Sequence, residues 1–242
     1  GTLGKSLNML CKNLSAALAE LQSASKKLED DIAHEKELEQ IRTDFFSAVS
    51  HELKTPITII KGQIEGMLLH IGVYKDREKY LSKALETAGT LETMVQEILT
   101  VSRLETMGTN FKEDILDCVQ MIRSYLDETE DIIAKKDLQL YLDMPETACI
   151  CGNKLLMEKV FSNLIGNAVK YSPQGAAVWI SASAECSRLV FSVENAGTQI
   201  PKDSIPKLFD AFYRVEQSRN RKTGGSGLGL YIVQKILRLC GS

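Results

Sequence analysis

The stretch SHELKTP combines a histidine, a carboxylate and a proline within a run of helical periodicity. At about 100° per residue, the apolar seam through Val49 and Leu53 lies on the side of the helix opposite His51, which we expect to face solvent. A neutral imidazole is a competent nitrogen nucleophile near pH 7, and Glu52 could orient the ring and accept its proton. A solvated histidine without a chemical role is the ordinary alternative. Pro56 removes a helical hydrogen bond and predicts a kink just beyond His51.

A second stretch, NLIGNAVKYS, places Asn163 and Asn167 on one face of a predicted helix, with Lys170 close behind. Asparagine oxygens are hard ligands suited to Mg²⁺, and a lysine ammonium can meet a phosphate as a point charge. Taken alone, these residues are better explained as an exposed polar stripe of the helix. The prediction of a ligand site therefore depends on a phosphate-binding element elsewhere in the chain.

The stretch TGGSGLGLYIV supplies such an element, because four closely spaced glycines precede the apolar run of a helix. Glycines let backbone N–H groups approach phosphate, and a helix N-terminus adds favourable partial charge. A flexible turn without a ligand is the alternative. Upstream, the LFDAFYR stretch with Arg214 leads into the polar residues 217–223, which could close over a nucleotide as a lid.

The first half of the chain must position the histidine. From Leu7 to Leu28 apolar residues step by three and four, as in a coiled-coil seam, and the pattern resumes at Leu38 after a polar break. This predicts a helical rod that transmits rotation or strain, or else a solvated spacer. Two more periodic runs follow, with Asp76 able to cap the second, and they predict a helical hairpin. Because one hairpin exposes apolar residues on both sides, we expect two copies to form a four-helix bundle, and thus a homodimer.

The second half changes pattern near residue 108. Strand-like runs are found at 138–142, 176–182 and 189–193, and helix-like runs at 115–134 and 153–170. This alternation predicts an α/β sandwich, so the chain is expected to be multidomain, α followed by α+β. The expected domains are a linker at 1–43, a hairpin at 44–107 and the sandwich at 108–242.

Composition excludes several classes of function. The net charge of −3, with 25% charged and 44% hydrophobic residues, is typical of a globular protein and gives no basic bias toward nucleic acid. No apolar run is long enough to cross a bilayer, so the sequence predicts a soluble chain. The six cysteines are scattered and lack the spacing of a zinc site, which favours reduced thiols.

Taken in order, SHELKTP, NLIGNAVKYS, LFDAFYR and GSGLGLYIV resemble the sensor histidine kinases of bacterial two-component systems, over the whole chain. The resemblance implies a dimeric phosphotransfer hairpin followed by an ATP-binding domain of the Bergerat type. The opening residues resemble the second helix of a HAMP signal relay. FFSAVSHELKTPI and EGMLLHIGVY are most similar to the VanS-type sensors.

The resemblance implies a role for each matching residue. His51 would be the phosphoacceptor, Glu52 the acid that assists it, and Thr55 would support dephosphorylation of a response regulator. Asn167 would be the Mg²⁺ ligand, and Arg214 would contact the terminal phosphates. The full set of implied ATP contacts is Asn163, Asn167, Lys170, Tyr171, Asn195, Gly197, Arg214, Gly225, Gly227, Leu228 and Gly229.

The chain departs from the family pattern at two places. The adenine-reading box D-x-G-x-G is replaced by NAGTQ, with Asn195 for the aspartate and Gln199 for the second glycine. An asparagine oxygen still accepts a hydrogen bond, but more weakly than a carboxylate. The sequence also stops at Ser242, where family members continue into a further strand, so we expect a truncated C-terminal end.

The expected function is ATP-dependent autophosphorylation at His51, transfer to an aspartate of a response regulator, and phosphatase activity on that regulator. The resemblance places the chain in the cytoplasmic portion of a membrane sensor, without direct contact to nucleic acid. One alternative is a non-catalytic scaffold that dimerises through the hairpin. Another is an ATPase of the gyrase or chaperone type, which would leave SHELKTP unexplained.

Overall fold

The structure, a computed structural model, describes residues 2–106, 112–185, 188–215 and 225–240. The chain divides into two compact units, residues 1–50 and residues 51–242, and the boundary falls within the first helix. None of the helices in these described ranges is long and apolar enough to cross a bilayer.

Helix α1 (Thr2–Leu68) contains the predicted linker and the SHELKTP stretch. Pro56 lies inside α1 and is buried, and the helix continues through it although one backbone hydrogen bond is lost. Most described large side chains of the predicted coiled-coil seam in the first unit are exposed: Leu14, Leu21, Leu28, Leu38 and Ile41. Phe45, where the seam reaches the hairpin, is buried. In a coiled coil, each helix presents an apolar seam of this kind to its partner helix.

A tight turn reverses the chain after α1. His70 and Gly72 adopt positive φ angles of 54° and 52°, and a 3-10 turn follows at Gly72–Lys75. Helix α2 (Arg77–Thr106) then begins, with the carboxylate of Asp76 accepting a hydrogen bond from the Lys79 N–H at 3.2 Å. This confirms the predicted capping role of Asp76, because a carboxylate before a helix satisfies an N–H that has no partner within the helix.

The hairpin formed by the end of α1 and by α2 has one buried seam and one exposed apolar face. Met67, Ala84, Met94, Val101 and Leu104 are buried. Large apolar side chains remain exposed on both helices: Ile57, Ile64, Leu68, Leu81, Leu85, Val95 and Leu99. Exposed apolar area of this extent is typical of a surface that another chain covers.

The second half contains two small sheets. Strand β1 (Asp114–Asp117) precedes α3 (Cys118–Glu128) and α4 (Glu130–Lys135), which lead to β2 (Gln139–Asp143). Strand β3 (Cys149–Gly152), helix α5 (Lys154–Tyr171), and strands β4 (Ala177–Glu185) and β5 (Arg188–Asn195) follow. A 3-10 turn at Lys202–Lys207 and helix α6 (Gly229–Leu239) complete the described elements.

The larger sheet has the order β2-β4-β5, with β2 parallel to β4 and β4 antiparallel to β5. Apolar side chains of α3, α5 and the sheet form its core, including Ile122, Phe161, Ile165, Val178 and Ile180. Helices packed on a mixed sheet confirm the predicted combination of a helical hairpin and an α+β domain. The cysteines whose side chains are described, Cys118, Cys149, Cys151 and Cys240, form no disulfide.

One segment differs from the sequence prediction. The predicted helix at 115–134 begins instead with strand β1, in which Ile115 pairs with Cys151 of β3. The Asp117 carboxylate then accepts from the N–H of Val119 at 3.0 Å and caps α3. Because the strand depends on a partner more than thirty positions away, local periodicity could not identify it.

Candidate active site

His51 lies on the exposed face of α1, with 81% of its side chain accessible. This confirms the orientation predicted from the apolar seam, in which Val49 is buried. Nδ1 lies 3.5 Å from Oε1 of Glu52, a long contact between two accessible side chains. Such a pair adds little to stability, but it favours the tautomer that carries the proton on Nδ1. The lone pair of Nε2 is then directed toward solvent.

Thr55 lies one turn beyond the histidine and is half-buried. Its hydroxyl donates to the backbone carbonyl of His51 at 3.4 Å. The hydroxyl therefore lies on the same side of α1 as the imidazole, immediately before Pro56. The predicted set of His51, Glu52 and Thr55 forms one continuous surface of the helix.

Helix α5 carries the two predicted asparagines next to the first residue of α6. A Cβ atom added to Gly229 would lie 3.1 Å from Oδ1 of Asn163 and 3.7 Å from Nδ2 of Asn167, so the absence of a side chain permits the close approach. Nδ2 of Asn163 is buried and has no hydrogen-bond partner among the described residues. A buried donor without a partner is costly, which indicates that a ligand completes this site.

Backbone contacts with Phe212 hold the glycine-rich loop in place. Gly227 has φ +78°, and the N–H of Phe212 donates to its carbonyl at 3.0 Å. A Cβ atom on Gly227 would lie 2.7 Å from the carbonyl carbon of Phe212, so no side chain fits there. Ser226 accepts a hydrogen bond from the N–H of Leu228, which is fully buried. Helix α6 begins at Gly229 without a side-chain cap, so its first N–H groups point toward the loop.

Lys170 and Tyr171 end α5 and meet this loop. A Cβ atom on Gly225 would lie 2.8 Å from Oη of Tyr171 and 2.9 Å from Nζ of Lys170. Burial lowers the pKa of Lys170, and the nearby Arg214 guanidinium lowers it further, whereas the carboxylate of Glu97 opposes the shift. Two cations that lie close together in a partly buried place favour an anionic ligand between them.

The altered NAGTQ box follows β5. Asn195 ends the strand and pairs with Val178 of β4, and Gly197 adopts φ +79° against the ring of Pro173. The Thr198 hydroxyl donates to the carbonyl of Tyr171 at 2.9 Å. The box is thereby tied to the end of α5 that carries the basic side chain.

A cleft of about 330 Å³ lies beside these groups. It is lined by Glu86, Gly89, Thr90, Thr93, Glu97, Lys170, Gly225 and Ser226. The polar residues from α2 recur at helical spacing, and Oε2 of Glu97 is buried without a hydrogen-bond partner in the described ranges. No sequence motif marked this side of the cleft. Its residues nevertheless recur at helical spacing, which is a signal that could have revealed it: Glu86, Thr90, Thr93 and Glu97.

The structure therefore brings most of the predicted nucleotide contacts together around the ends of α5 and α6. His51 is not among the residues that line the cleft. The predicted lid at 217–223 lies outside the described residues. Glu97 joins the site from a position that no sequence motif marked. Thr198 and Ser226 lie inside the NAGTQ and TGGSGLGLYIV stretches, but no role was predicted for either side chain.

Two family models match the chain. Residues 41–106 match the "His Kinase A (phospho-acceptor) domain", and residues 152–242 match the "Histidine kinase-, DNA gyrase B-, and HSP90-like ATPase" family. The first match contains His51, and the second contains α5 and the glycine-rich loop. The chain belongs to the sensor histidine kinases.

Curated proteins with similar sequences are named as sensor proteins. The sensor protein VanSB of Enterococcus faecalis is 37% identical over 96% of the chain and 52% of its own length. The phosphate regulon sensor protein PhoR of Pseudomonas aeruginosa is 31% identical over 86% of the chain and 47% of its own length. The chain thus spans about half the length of the curated relatives that it matches.

Solved structures of histidine kinases share the fold. The Acinetobacter baumannii kinase AdeS superposes with a TM-score of 0.63 at 28% identity, over 78% of this chain and 86% of that one. The kinase ThkA, in a complex with the response regulator protein TrrA, gives 0.60 at 24% identity, over 71% of this chain and 50% of that one.

The residues of this histidine kinase chain fit a nucleotide phosphate. Because residues 225, 227 and 229 carry no side chain, the loop backbone closely approaches Lys170, the Phe212 backbone and Asn163. The buried donor of Asn163 lacks a partner among the described residues. Lys170 and Arg214 supply positive charge at the same place. Carboxamide oxygens are the donor type that Mg²⁺ accepts, so Asn163 and Asn167 also fit a metal that accompanies the nucleotide.

Proposed function

We propose that this chain is the kinase portion of a sensor that phosphorylates its own His51 from ATP and passes the phosphoryl group to an aspartate of a response regulator. The observation that carries the proposal is the presence, in one chain, of a candidate phosphoacceptor and a candidate nucleotide site. An outward histidine beside a carboxylate lies on a helical hairpin, and a glycine cradle with basic and carboxamide side chains lies in the following domain.

His51 is the nucleophile in this proposal. The contact of Nδ1 with Glu52 leaves the lone pair of Nε2 exposed to attack the terminal phosphorus of ATP. The bond from that phosphorus to the bridging oxygen breaks and ADP leaves. Glu52 accepts the proton from Nδ1 as the N–P bond forms, which prevents a positive charge from remaining on the ring.

The second domain binds the nucleotide. Lys170 and Arg214 offset the charge of the phosphates, while the N–H groups around Gly225, Gly227, Leu228 and Gly229 donate to them. Asn195 and Gly197 contact the adenine. Asn163 and Asn167 would hold Mg²⁺, which supplies further charge neutralisation when it is bound.

Transfer also requires movement. Since His51 does not line the cleft, the ATP-binding domain must change its position relative to the hairpin to deliver the phosphoryl group. Rotation of the helical linker at 1–43 would select between a kinase state and a phosphatase state, with Thr55 and Glu52 serving the latter. The remaining proposed domains are the hairpin at 44–107 and the ATP-binding domain at 108–242.

The exposed apolar face of the hairpin supports a homodimer in which two hairpins form a four-helix bundle. The partner that accepts the phosphoryl group would be the receiver domain of a response regulator. We place the chain on the cytoplasmic side of a bacterial membrane sensor with a HAMP relay, by analogy with its relatives.

The test is incubation with γ-labelled ATP and Mg²⁺. Label should appear on the chain, be lost in acid and survive alkali, as expected for a phosphohistidine. His51→Gln should remove the label and keep nucleotide binding, whereas His34→Gln, the same change at another exposed histidine of α1, should retain the label. A folded, ATP-binding chain that takes up no label contradicts the proposal.

One alternative is favoured by a specific observation. Asn195 and Gln199 depart from the adenine box, and a chain that had lost ATP binding through these changes would act as a scaffold. Such a scaffold would dimerise and bind the regulator without taking up label. Measurement of ATP binding by the unsubstituted chain distinguishes it from the kinase.

A further inference from the structure

Lys136 lies just after α4 and, along the chain, outside every motif described above. Its ammonium donates to three backbone carbonyls at the end of α5: Val169 at 2.9 Å, Lys170 at 2.7 Å and Ser172 at 3.0 Å. An ammonium has three N–H donors, so these bonds use its full capacity.

The ammonium of Lys136 supplies hydrogen-bond donors to carbonyls at the C-terminal end of α5. The last carbonyls of a helix have no partner within the helix, and they form the negative end of its dipole. The N–H and hydroxyl of Ser172 donate to Ala168, and Thr198 donates to Tyr171. Together with the bonds from Lys136, each of the five carbonyls from 168 to 172 accepts a hydrogen bond, and Lys136 is the donor to three of these carbonyls.

The same turn of α5 carries the side chains that meet the phosphate-binding loop. Nζ of Lys170 and Oη of Tyr171 lie against Gly225, where a Cβ atom would come within 3 Å of both. A shift of the backbone at 169–172 would move both groups together. Their placement therefore depends on what holds these carbonyls.

We propose that Lys136 is a positioning residue for the nucleotide site: its ammonium fixes the C-terminal turn of α5 and thereby sets Lys170 and Tyr171 against the glycine-rich loop. The proposal rests on the proposed binding of ATP. It adds a residue that would contact no part of the nucleotide.

Two further observations support a local role. The backbone of Lys136 is held independently, since its N–H donates to Ile132 at 3.1 Å and its carbonyl accepts from Gly175 at 2.9 Å. Removal of the ammonium should thus leave the chain path around residue 136 in place. The charge of Lys136 also lowers the pKa of Lys170, as a smaller cause after burial and Arg214.

The experiment compares Lys136→Met, which keeps the length of the apolar stem, with Lys136→Arg, which restores a cation. Lys135→Met is the matched control, because it removes the same charge from the adjacent, exposed position. Two measurements are made on the full chain: amide hydrogen exchange without nucleotide, and the Kd of the analogue AMPPNP with Mg²⁺.

We expect Lys136→Met to accelerate exchange at the end of α5 and to raise the Kd about tenfold, because charge-assisted hydrogen bonds are lost. Lys136→Arg should restore most of the parental protection from exchange and most of the parental Kd. Lys135→Met should change neither quantity. A merely structural lysine would give a lower Tm with an unchanged Kd.

Two results would overturn the role of Lys136. One is unchanged exchange at residues 168–172 in Lys136→Met, and the other is a Kd within twofold of the parent in a folded variant. Failure of the unsubstituted chain to bind AMPPNP is a different result. It contradicts the proposed ATP binding itself, and the role of Lys136 with it.

Discussion

The Thr198 hydroxyl donates a hydrogen bond of 2.9 Å to the carbonyl oxygen of Tyr171, and so joins the loop after β5 to the end of α5. This bond links the altered adenine box to the turn that carries Lys170. Besides any contact with adenine, the box therefore also holds the end of α5 that carries Lys170 and Tyr171.

Removal of that hydroxyl should weaken nucleotide binding. Thr198→Val keeps the shape of the side chain but leaves the Tyr171 carbonyl without its donor, so we expect the Kd for AMPPNP to rise about fivefold. Thr198→Ser retains the hydroxyl and should bind as the parent does. Equal affinities of the valine and serine variants would show that the bond has no part in binding.

Gly227 should tolerate no side chain. Alanine there must adopt φ +78° and would lie 2.7 Å from the backbone of Phe212, so the loop must move. We expect Gly227→Ala to weaken AMPPNP binding by more than about tenfold, since the N–H groups lose their alignment. Gly62→Ala in α1 is the control, because no atom lies within 4 Å of the added Cβ. Titration calorimetry of both variants measures the effect, and tight binding by Gly227→Ala contradicts it.

The pH dependence of binding should involve Glu97. Burial and Arg214 lower the pKa of Lys170, and Glu97 raises it by favouring the charged form. Nucleotide affinity should therefore decline with rising pH as Lys170 loses its proton, beginning below the range of an ordinary lysine. Glu97→Gln removes the opposing carboxylate, lowers the pKa further and moves this alkaline decline to lower pH.

The control for this prediction is Glu92→Gln, at an exposed position of the same helix. Its binding profile should follow that of the parent across the alkaline range. A Glu97→Gln profile that coincides with the parent, or lies at higher pH, would refute the proposed electrostatic contact.

The exposed hairpin face should control dimerisation. Ile57, Ile60 and Ile64 line an apolar groove of α1, and Ile64 is 44% exposed in the single chain. A charge placed in a buried bundle interface would be strongly unfavourable, so Ile64→Glu should shift the chain toward monomers. Val190→Glu, which changes an exposed apolar residue of β5, should not. Sedimentation velocity measures the outcome, and a dimer of parental stability in Ile64→Glu argues against this face.

Pro56 should influence the balance between kinase and phosphatase activities. Pro56→Ala restores the backbone hydrogen bond to Glu52, and the relief of a proline inside a helix is worth up to about 3 kcal/mol, less the packing of the buried ring. A stiffer α1 next to His51 should change the ratio of regulator phosphorylation to dephosphorylation. If both rates and their ratio stay at parental values, bending at Pro56 has no part in switching.

Much of the site follows from local patterns. The outward orientation of His51 depends only on the helical repeat through Val49 and Leu53, and the asparagines share a face because they are four residues apart. The capping residues Asp76 and Asn153 lie directly before the helices that they cap. The glycine-rich loop is also local, because its glycines precede the helix that they serve.

Other features of the protein depend on contacts between residues that are distant in the chain. The strand at Ile115 required β3 as a partner, so local pattern assigned it to a helix. Lys136 reaches carbonyls more than thirty positions away, and Glu97 approaches Lys170 from another helix. The sequence alone predicted which residues would carry the chemistry, because spacing fixes the face of a helix. Only the fold decided which groups hold them in place, because those contacts arise when separate elements pack together.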